Sequence, residues 1–446
     1  MLAIISDLHF TDGTTSNWGS DPRCPGGRRD LFNVSPKAFR LFFSDIAEIV
    51  GRGNGIRKVK MIYAGDIFDL LRTTAWFDAP QSALPWSVPL APAKLEAECG
   101  ALLDKIIENN AKALAWLSGV EVAPGTGALR PFAELAAIWP KDVALERVYL
   151  PGNHDRLVNL FPSLRARVWS RLLGRGGEAK EFSNQYRDPD GHETFVMHGH
   201  ESDPFNCEFT ADGRPDYAAI PIGEPMTTCL FTRLGYEAEL RKMSPEIVAR
   251  LREVDNVRPT LASIRFVQDM IRRARIGKEM TSLIDRVVSE FQGLEFYKRW
   301  HKAHDRWNLG PDEADQLALA LRAIQLLGTH LPVGLMEKAC GLASDDSCQA
   351  LALKCLRNPV AVGETHCVLG HTHEPAHTPL MVDDKGVQKH YLNSGTFRAT
   401  LTKAFSGDSF VEFQRMSWVV IYGPDEFQPG ERRPMYEMWS GLRRHN

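Results

Sequence analysis

Short apolar runs alternate along the chain with segments of helical periodicity, and this order predicts an α/β protein. Leu2–Ile5 is a continuous apolar run and is typical of a buried strand. Residues 36–50 carry apolar side chains at helical spacing, with Ser35 as the N-cap and Gly51 as the stop. A second apolar run, residues 59–64, follows the helix. Strand, helix and strand in this order indicate the start of a parallel βαβ unit.

The same pattern continues to the end of the chain, with one long interruption. Further apolar runs predict strands at 148–150, 194–197, 366–369, 389–392, 410–415 and 418–422. Residues 94–117 have a 3.6-residue period and predict one helix. Residues 76–92 contain several prolines and two tryptophans, so they predict an irregular loop.

Helical periodicity dominates residues 203–363, where strand signals are almost absent. This change predicts a helical cap or lid inserted into a core of two parts, residues 1–202 and 364–423. The first part includes the proline- and tryptophan-rich loop and a helix within residues 73–142. The tail, residues 424–446, is rich in Pro, Arg and Glu and is expected to be irregular.

The overall charge of the chain indicates no particular class of partner. A formal net charge of -3 gives no general attraction to nucleic acid or to a membrane surface. Residues 241–306 hold 15 Lys or Arg against 9 Asp or Glu, a local excess of about +6. Solvated helix faces are the default explanation of this excess, and a basic lid facing a phosphorylated substrate is the alternative.

Cysteine usage and the lack of long apolar stretches predict a cytoplasmic protein. The eight cysteines form no C-x-x-C pair, so reduced thiols are expected and a structural zinc site has no support. No signal-peptide pattern precedes the first strand, and no apolar run has the length of a membrane span.

Polar residues with metal-binding side chains follow the predicted strands at the point where each ends. Each cluster taken alone could merely cap a strand, but all of them lie at strand ends, where open α/β sheets build their sites. Mixed oxygen and nitrogen ligands without thiolates suit Mn²⁺, Fe²⁺ or Zn²⁺. Two such ions need a shared carboxylate, and Asp66 is the candidate because Gly65 before it allows close approach. The clusters are Asp7 and His9; Asp66 and Asp69; Asn153, His154 and Asp155; His198; and His371 and His373.

These clusters, in this order, resemble the calcineurin-like metallophosphoesterase superfamily. Its motifs D-x-H, G-D-x-x-D, G-N-H-D, H-G and G-H-x-H begin here at Asp7, Gly65, Gly152, His198 and Gly370. The resemblance covers residues 1–201 and about 364–422, and the helical insertion lies outside it. It implies a four-layer α/β/β/α sandwich with two mixed sheets, to which the helical insertion is added.

The resemblance also implies a role for each motif residue. Asp7, His9, Asp66 and His373 are expected to hold one divalent ion, and Asp66, Asn153, His198 and His371 a second. Mn²⁺ is the expected ion, with Fe²⁺ or Zn²⁺ as alternatives. A hydroxide bridging the two ions would attack phosphorus, while His154 protonates the leaving oxygen and Asp69 orients it. Asp155 is expected to support the loop.

The function implied is hydrolysis of a phosphodiester or pyrophosphate bond in a nucleotide-like substrate or a nucleic acid. Expected substrate contacts are Arg156 and Arg398, and Arg23, Arg28 and Arg29 could also reach a substrate from their loop, although ordinary solvated loop charges are the simpler explanation. The motifs are most similar to two bacterial branches, the exonucleases and the UDP-diacylglucosamine pyrophosphatases. The second has a helical lid after its H-G motif but an Asp where this chain has His200, so its lipid substrate is not assumed.

Two alternatives to a small-substrate hydrolase remain open. One is a nuclease of the exonuclease type, and the other is a non-catalytic scaffold on the same fold. A scaffold is expected to lose ligands or the acid histidine, whereas every motif residue is present here. The sequence assigns no protein partner.

Overall fold

The computed structural model describes residues 1–15, 33–52, 55–258, 262–305, 312–325, 345–358, 363–406, 409–426 and 435–443. Arg23, Arg28 and Arg29 lie outside these residues. The strands are β1 (Leu2–Ile5), β2 (Lys58–Ala64), β3 (Val120–Val122), β4 (Leu129–Pro131), β5 (Ala144–Leu150), β6 (Gln185–Arg187), β7 (Thr194–Met197), β8 (Glu208–Phe209), β9 (Pro215–Asp216), β10 (Val257–Arg258), β11 (His366–Leu369), β12 (Ala376–Val382), β13 (Gln388–Asn393), β14 (Ala399–Lys403), β15 (Phe410–Tyr422) and β16 (Met435–Arg443).

Helices fill most of the chain between the strands. The α-helices are Pro36–Arg52, Ala75–Asp78, Pro92–Asn109, Ala111–Ser118, Ala133–Ala136, Arg156–Leu160, Pro162–Arg171, Gly223–Met226, Arg233–Leu240, Pro245–Glu253, Ala262–Ala274, Gly277–Gly293, Glu295–His304, Glu313–Gln325 and Asp345–Arg357. A π-helical turn, Thr227–Thr232, joins two helices of the insertion, and a 3₁₀ turn, Val254–Asn256, joins helix Pro245–Glu253 to β10.

The single helix predicted for residues 94–117 is two helices in the structure. They are Pro92–Asn109 and Ala111–Ser118, and Asn110 interrupts the helical conformation between them. The Asn110 amide donates to the carbonyl oxygens of Ile106 at 2.9 Å and Thr11 at 3.0 Å. Asparagine side chains compete in this way with backbone donors, which is why they interrupt helices.

The first sheet contains the first two strands of the sequence. Its strand order is β10-β14-β15-β1-β2-β5, with β16 paired to β15. β1 is parallel to β2, and β2 is parallel to β5, whereas β15 runs antiparallel to β1. In β1, Leu2 and Ile4 pack into the core between the sheets, and Ala3 and Ile5 pack against the helices. Burial on both faces explains the continuous apolar run.

The second sheet packs face to face on the first. Its order is β12-β13-β11-β7-β6, with β7, β11 and β13 mutually parallel. Val196, Val368 and Leu392 from this sheet meet Leu2 and Ile62 from the other. Helix Asp345–Arg357 covers the outer face of the second sheet, as helix Pro36–Arg52 covers the first. The protein is therefore a mixed α/β fold in which two mixed sheets lie between helices.

The insertion has its own hydrophobic core and also joins the first sheet. Leu251, Leu283, Phe291 and Leu321 are among the buried residues of that core. β10 of the insertion pairs in parallel with β14, through Val257 opposite Leu401. The expectation of an almost strand-free helical lid therefore needs correction, because β10 completes the sheet edge and β8 and β9 pair with each other within the insertion.

The irregular tail and the pair of closing strands also need correction. The two closing strands predicted at 410–415 and 418–422 are one strand, β15. Part of the tail forms β16, which pairs along β15 from Met435 opposite Tyr422 to Arg443 opposite Gln414. Trp439 stacks on Trp418 across this pair, with ring centroids 5.8 Å apart. Cross-strand aromatic pairs of this kind stabilise a strand whose sequence alone is ambiguous.

Within the part of the chain described, no helix combines the length and apolarity needed to cross a membrane. The cysteines that the structure describes form no disulfide bond: Cys99, Cys207, Cys229, Cys348, Cys355 and Cys367. Cys24 and Cys340 lie outside the described residues.

A buried histidine ties the chain start to the turn after β15. His192 Nδ1 lies 2.9 Å from Asp188 Oδ2, and its Nε2 lies 3.2 Å from Glu426 Oε2. Glu426 also accepts from the amino group of Met1 at 2.8 Å. Burial lowers the pKa of His192, but the two carboxylates outweigh burial and leave the pKa above its ordinary value.

We expect His192→Gln to cost more stability in acid than in base. A histidine whose pKa is raised by folding contributes stability that is fully present below its unfolded pKa of about 6.5. That contribution is lost as the pH rises through the folded pKa. Urea unfolding of both proteins at about pH 5.5 and about pH 8.5 measures the difference in free energy of unfolding. An equal difference at both pH values would contradict the ion-pair assignment.

Candidate metal centre

Loops from both sheets meet at one place, where the parallel strands end. The loops after β1, β2 and β5 come from the first sheet, and those after β7 and β11 from the second. His198 Nδ1 donates to the carbonyl oxygen of Ala64 at 2.8 Å, which joins the two sheets. The backbone N–H of His371 donates to Asp7 Oδ2 at 3.0 Å across the same junction. The five motifs are therefore brought to one buried cluster.

Five of the expected metal ligands have left-handed backbone conformations. The φ angles are 54° at Asp7, 46° at His9, 53° at Asp66, 70° at His371 and 63° at His373. Each such non-glycine residue costs about 1–3 kcal/mol, and such residues cluster at functional sites. Backbone hydrogen bonds hold this geometry, including Asp7 N–H to the carbonyl of Gly65 at 3.1 Å and His9 N–H to that of Asp66 at 2.8 Å.

The first ligand group contains Asp7, His9 and His373. The two imidazole Nε2 atoms of His9 and His373 lie 2.9 Å apart. Asp7 Oδ1 lies 3.3 Å from His373 Nε2 and 3.7 Å from His9 Nε2. All three side chains are buried, and their donor atoms lie close enough together to hold one metal ion.

The second ligand group contains Asp66, His198 and His371. His198 Nε2 lies 3.3 Å from Asp66 Oδ2 and 3.2 Å from the amide oxygen of Asn153. Since Nδ1 of His198 donates to a backbone carbonyl, Nε2 is the atom left for a metal. The expected ligands of the second ion are thus found around one point.

Asp66 lies between the two groups. Its Oδ2 atom is 3.6 Å from His9 Nε2 and 3.3 Å from His198 Nε2, while its Oδ1 accepts from the backbone N–H of His154 at 2.8 Å. A side chain at Gly152 would clash with this carboxylate, which explains the glycine in the third motif. The position is the one that a bridging ligand requires.

The protonation of these groups fits a metal cation. Burial lowers the pKa of His9 and of His373, which favours the neutral rings that metal ligands require. Asp7 Oδ1 is buried and has no hydrogen-bond partner. Burial lowers the pKa of His198, but the Asp66 carboxylate has the larger effect and raises the pKa to about 10. The carboxylate thus favours a positive charge beside it, which a divalent ion would supply.

His154 and Asp69 form a separate pair beside the metal ligands. His154 Nδ1 donates to Asp69 Oδ1 at 3.0 Å, and His9 Nδ1 lies 3.1 Å from Asp69 Oδ2. The ligand atoms of these three side chains lie close enough together to hold a metal ion of their own. The Arg72 guanidinium donates to Asp69, however, and its charge opposes a cation there. We therefore interpret Asp69 as the partner that orients both histidines.

Asp155 stabilises the loop by accepting hydrogen bonds from three backbone N–H groups. Its Oδ2 accepts from the backbone N–H groups of Ile67 at 2.8 Å and Phe68 at 3.3 Å, and its Oδ1 from that of Gly152 at 2.5 Å. These bonds fix the G-D-x-x-D loop against the G-N-H-D loop, in keeping with the expected supporting role. Burial, followed by the Asp66 charge, raises the pKa of Asp155 to about 6.

Both expected substrate arginines are buried in contacts with the insertion. Arg156 forms a buried ion pair with Glu224, in which its Nη2 lies 3.1 Å from Oε2. Arg398 is 1% exposed, and its Nη2 donates to the amide oxygen of Asn256 at 2.8 Å. Their contact with a substrate stays a prediction, because each also anchors the insertion next to the centre.

Sequence reasoning missed three charged residues at the centre. Arg72 follows Asp69 by three residues in the loop after β2, a spacing that could have suggested their contact. Asp203 Oδ2 lies 3.4 Å from His371 Nε2. Arg258 Nη2 donates to His373 Nδ1 at 2.5 Å, although Arg258 belongs to the insertion. In sequence, Asp203 and Arg258 stand in no motif, so only folding reveals them.

The chain matches no protein-family model. A search of curated proteins also finds no significant match.

Proposed function

We propose that this protein is a metal-dependent phosphoesterase that hydrolyses a phosphodiester or pyrophosphate bond. The observation that carries the proposal is the position of Asp66 Oδ2 between two groups of ligands, 3.6 Å from His9 Nε2 and 3.3 Å from His198 Nε2. Two divalent ions held there would polarise a phosphoryl group and lower the pKa of an attacking water. Mn²⁺ is the ion we propose, with Fe²⁺ or Zn²⁺ as alternatives.

The motif order supports a finer assignment to the calcineurin-like metallophosphoesterases. In this proposal Asp7, His9, Asp66 and His373 hold one ion. Asp66, Asn153, His198 and His371 hold the other. Oxygen and nitrogen ligands from five separate strand ends, without a thiolate, are the chemistry that such a centre needs.

His154 supplies the proton that the leaving oxygen needs. Its Nδ1 is bound to Asp69, so Nε2 is the ring atom available to donate. Burial lowers the pKa of His154, but the carboxylates of Asp69 and Asp66 together outweigh burial and leave the pKa raised. This shift favours the protonated ring that a general acid requires.

Buried guanidinium groups beside the ligands favour an anionic substrate. Arg72 pairs with Asp69 and Asp255, and Arg258 donates to His373 Nδ1. An imidazole that binds a metal through Nε2 carries its proton on Nδ1 and cannot accept from a guanidinium. Metal binding at His373 would thus release Arg258, which we propose binds a phosphoryl oxygen.

We propose a small phosphorylated substrate rather than nucleic acid. Three exposed arginines of the insertion form ion pairs within their own helices: Arg272 with Asp269, Arg286 with Glu290 and Arg299 with Glu295. Nucleic-acid affinity depends on basic groups that neutralise phosphates, and these three groups already have acidic partners. The nuclease is therefore the second candidate, supported by the excess of basic residues in the insertion.

A Mn²⁺-supplemented assay across substrate classes tests the proposal. The substrates are a phosphomonoester, a phosphodiester, a nucleotide sugar with a pyrophosphate bond, and single- and double-stranded DNA. We expect hydrolysis of the diester or the pyrophosphate that falls little with added salt. Cleavage of DNA with a steep salt dependence would favour the nuclease. Activity on none of them would favour a non-catalytic scaffold.

A further inference from the structure

A second group of metal-ligating side chains lies outside the candidate metal centre, where β12, β13 and β16 meet. His377 is on β12, His390 on β13 and Tyr436 on β16. His377 Nε2 lies 3.1 Å from His390 Nδ1. The Tyr436 hydroxyl lies 2.7 Å from His377 Nε2 and 3.5 Å from His390 Nδ1. Three donor atoms from three strands therefore converge on one point.

Two sides of this triangle are close to the spacing of metal ligands. Zinc binds imidazole nitrogen and oxygen at about 2.0–2.2 Å, so two ligands of a tetrahedral site lie about 3.3–3.5 Å apart. The distances of 3.1 and 3.5 Å fall near that spacing. The third distance, 2.7 Å between the Tyr436 hydroxyl and His377 Nε2, is that of a hydrogen bond, which an entering ion would break and lengthen. His377 is exposed, so a fourth position would open to solvent.

The surroundings of His390 favour its neutral ring, the form that a metal ligand requires. Burial, and then the neighbouring His377, lower the pKa of His390. His366 stacks on His390 with ring centroids 6.0 Å apart, and burial lowers the pKa of His366 to about 3.

We propose that His377, His390 and Tyr436 form a further metal site, which takes one late first-row divalent ion such as Zn²⁺ or Cu²⁺. Two imidazoles with one phenolate oxygen suit such ions, and Cu²⁺ binds most strongly among them. Burial raises the pKa of Tyr436, so its hydroxyl would release its proton to solvent only as the ion binds. The site joins the two sheets, because β12 and β13 belong to the second and β16 to the first. It also anchors the start of β12, just after the loop that carries His371 and His373.

Copper titration of the full-length protein tests the site. Cu²⁺ is expected to bind the candidate metal centre as well. The quantity compared is therefore the copper content per chain of the wild type and of each variant. Elemental analysis after desalting is expected to find one more Cu²⁺ per chain in the wild type than in His377→Ala. Absorption spectra are expected to show a phenolate-to-copper charge-transfer band in the wild type that is absent in Tyr436→Phe. His301→Ala, on helix Glu295–His304 of the insertion, is the matched control and should keep both signals.

Equal copper content in the wild type and His377→Ala would overturn the proposal, as would a wild-type spectrum without the phenolate band. The three groups would then be an ordinary hydrogen-bonded triangle, since a phenol and two neutral imidazoles can satisfy one another. The exposed position of His377 makes its removal tolerable for folding, which circular dichroism checks. If His377→Ala does not fold, the absorption spectra of the wild type and Tyr436→Phe alone test the proposed site.

Discussion

His154→Ala should slow hydrolysis by about 10²- to 10⁴-fold while leaving the metal content unchanged, because this is the range that a positioned general acid contributes. His154 Nδ1 is held by Asp69 at 3.0 Å, and the side chain is not among the proposed ligands. Its backbone N–H, which donates to Asp66 Oδ1 at 2.8 Å, is retained in the variant. Turnover with Mn²⁺ and elemental analysis of the same preparation measure the two quantities.

The choice of leaving group separates proton donation from a merely structural role. A substrate with an acidic leaving group, such as a nitrophenol, needs no proton as it departs. We therefore expect the His154→Ala defect to shrink strongly on that substrate and to remain on an alkyl ester. An equal defect on both substrates would show that His154 acts by another route, and full turnover on both would remove it from the mechanism.

Asp66→Asn should leave fewer than two Mn²⁺ ions per chain and reduce turnover by about 10³-fold or more, which corresponds to about 4 kcal/mol of barrier. The amide keeps the size of the side chain but offers only one oxygen and no charge. Asp66 Oδ2 is the atom that faces both His9 Nε2 and His198 Nε2. Its replacement therefore weakens both ligand groups together. Elemental analysis of dialysed protein measures the ions that remain.

Asp190→Asn is the matched control for this experiment. Asp190 is an exposed carboxylate paired with Lys58 at 2.7 Å, away from the centre. The control should keep both ions and full turnover. Two ions per chain in Asp66→Asn would show that the bridge lies elsewhere, and the proposal would then have to assign it to another carboxylate.

The sequence predicts which residues converge at one place better than it predicts the fold around them. Asp7, Asp66 and His371 each lie two residues beyond the end of a strand, and a short buried strand leaves its end residues little freedom of position. Parallel pairing of β1 with β2, and of β7 with β11, then brings those ends together. Local pattern and sheet geometry suffice for these residues, although their chemical roles remain proposals.

The residues that sequence reasoning missed depend on contacts between distant segments. Arg258 reaches His373 only because β10 adds to β14, and a strand of two residues has no periodicity to detect. β16 escaped prediction for a related reason. Its Tyr436 and Trp439 are partly exposed, and it forms by pairing with β15 rather than by burying an apolar run.

The pairing of β1 with β15 has a consequence for how the protein is made. Leu2 lies opposite Ile421, so the central strand of the first sheet acquires this neighbour only after synthesis has passed Ile421. Contacts so distant in sequence form slowly, and the incomplete sheet exposes an unpaired edge meanwhile. The expected ligands span from Asp7 to His373. The centre that we propose is therefore expected to assemble late, with the finished sheet as its template.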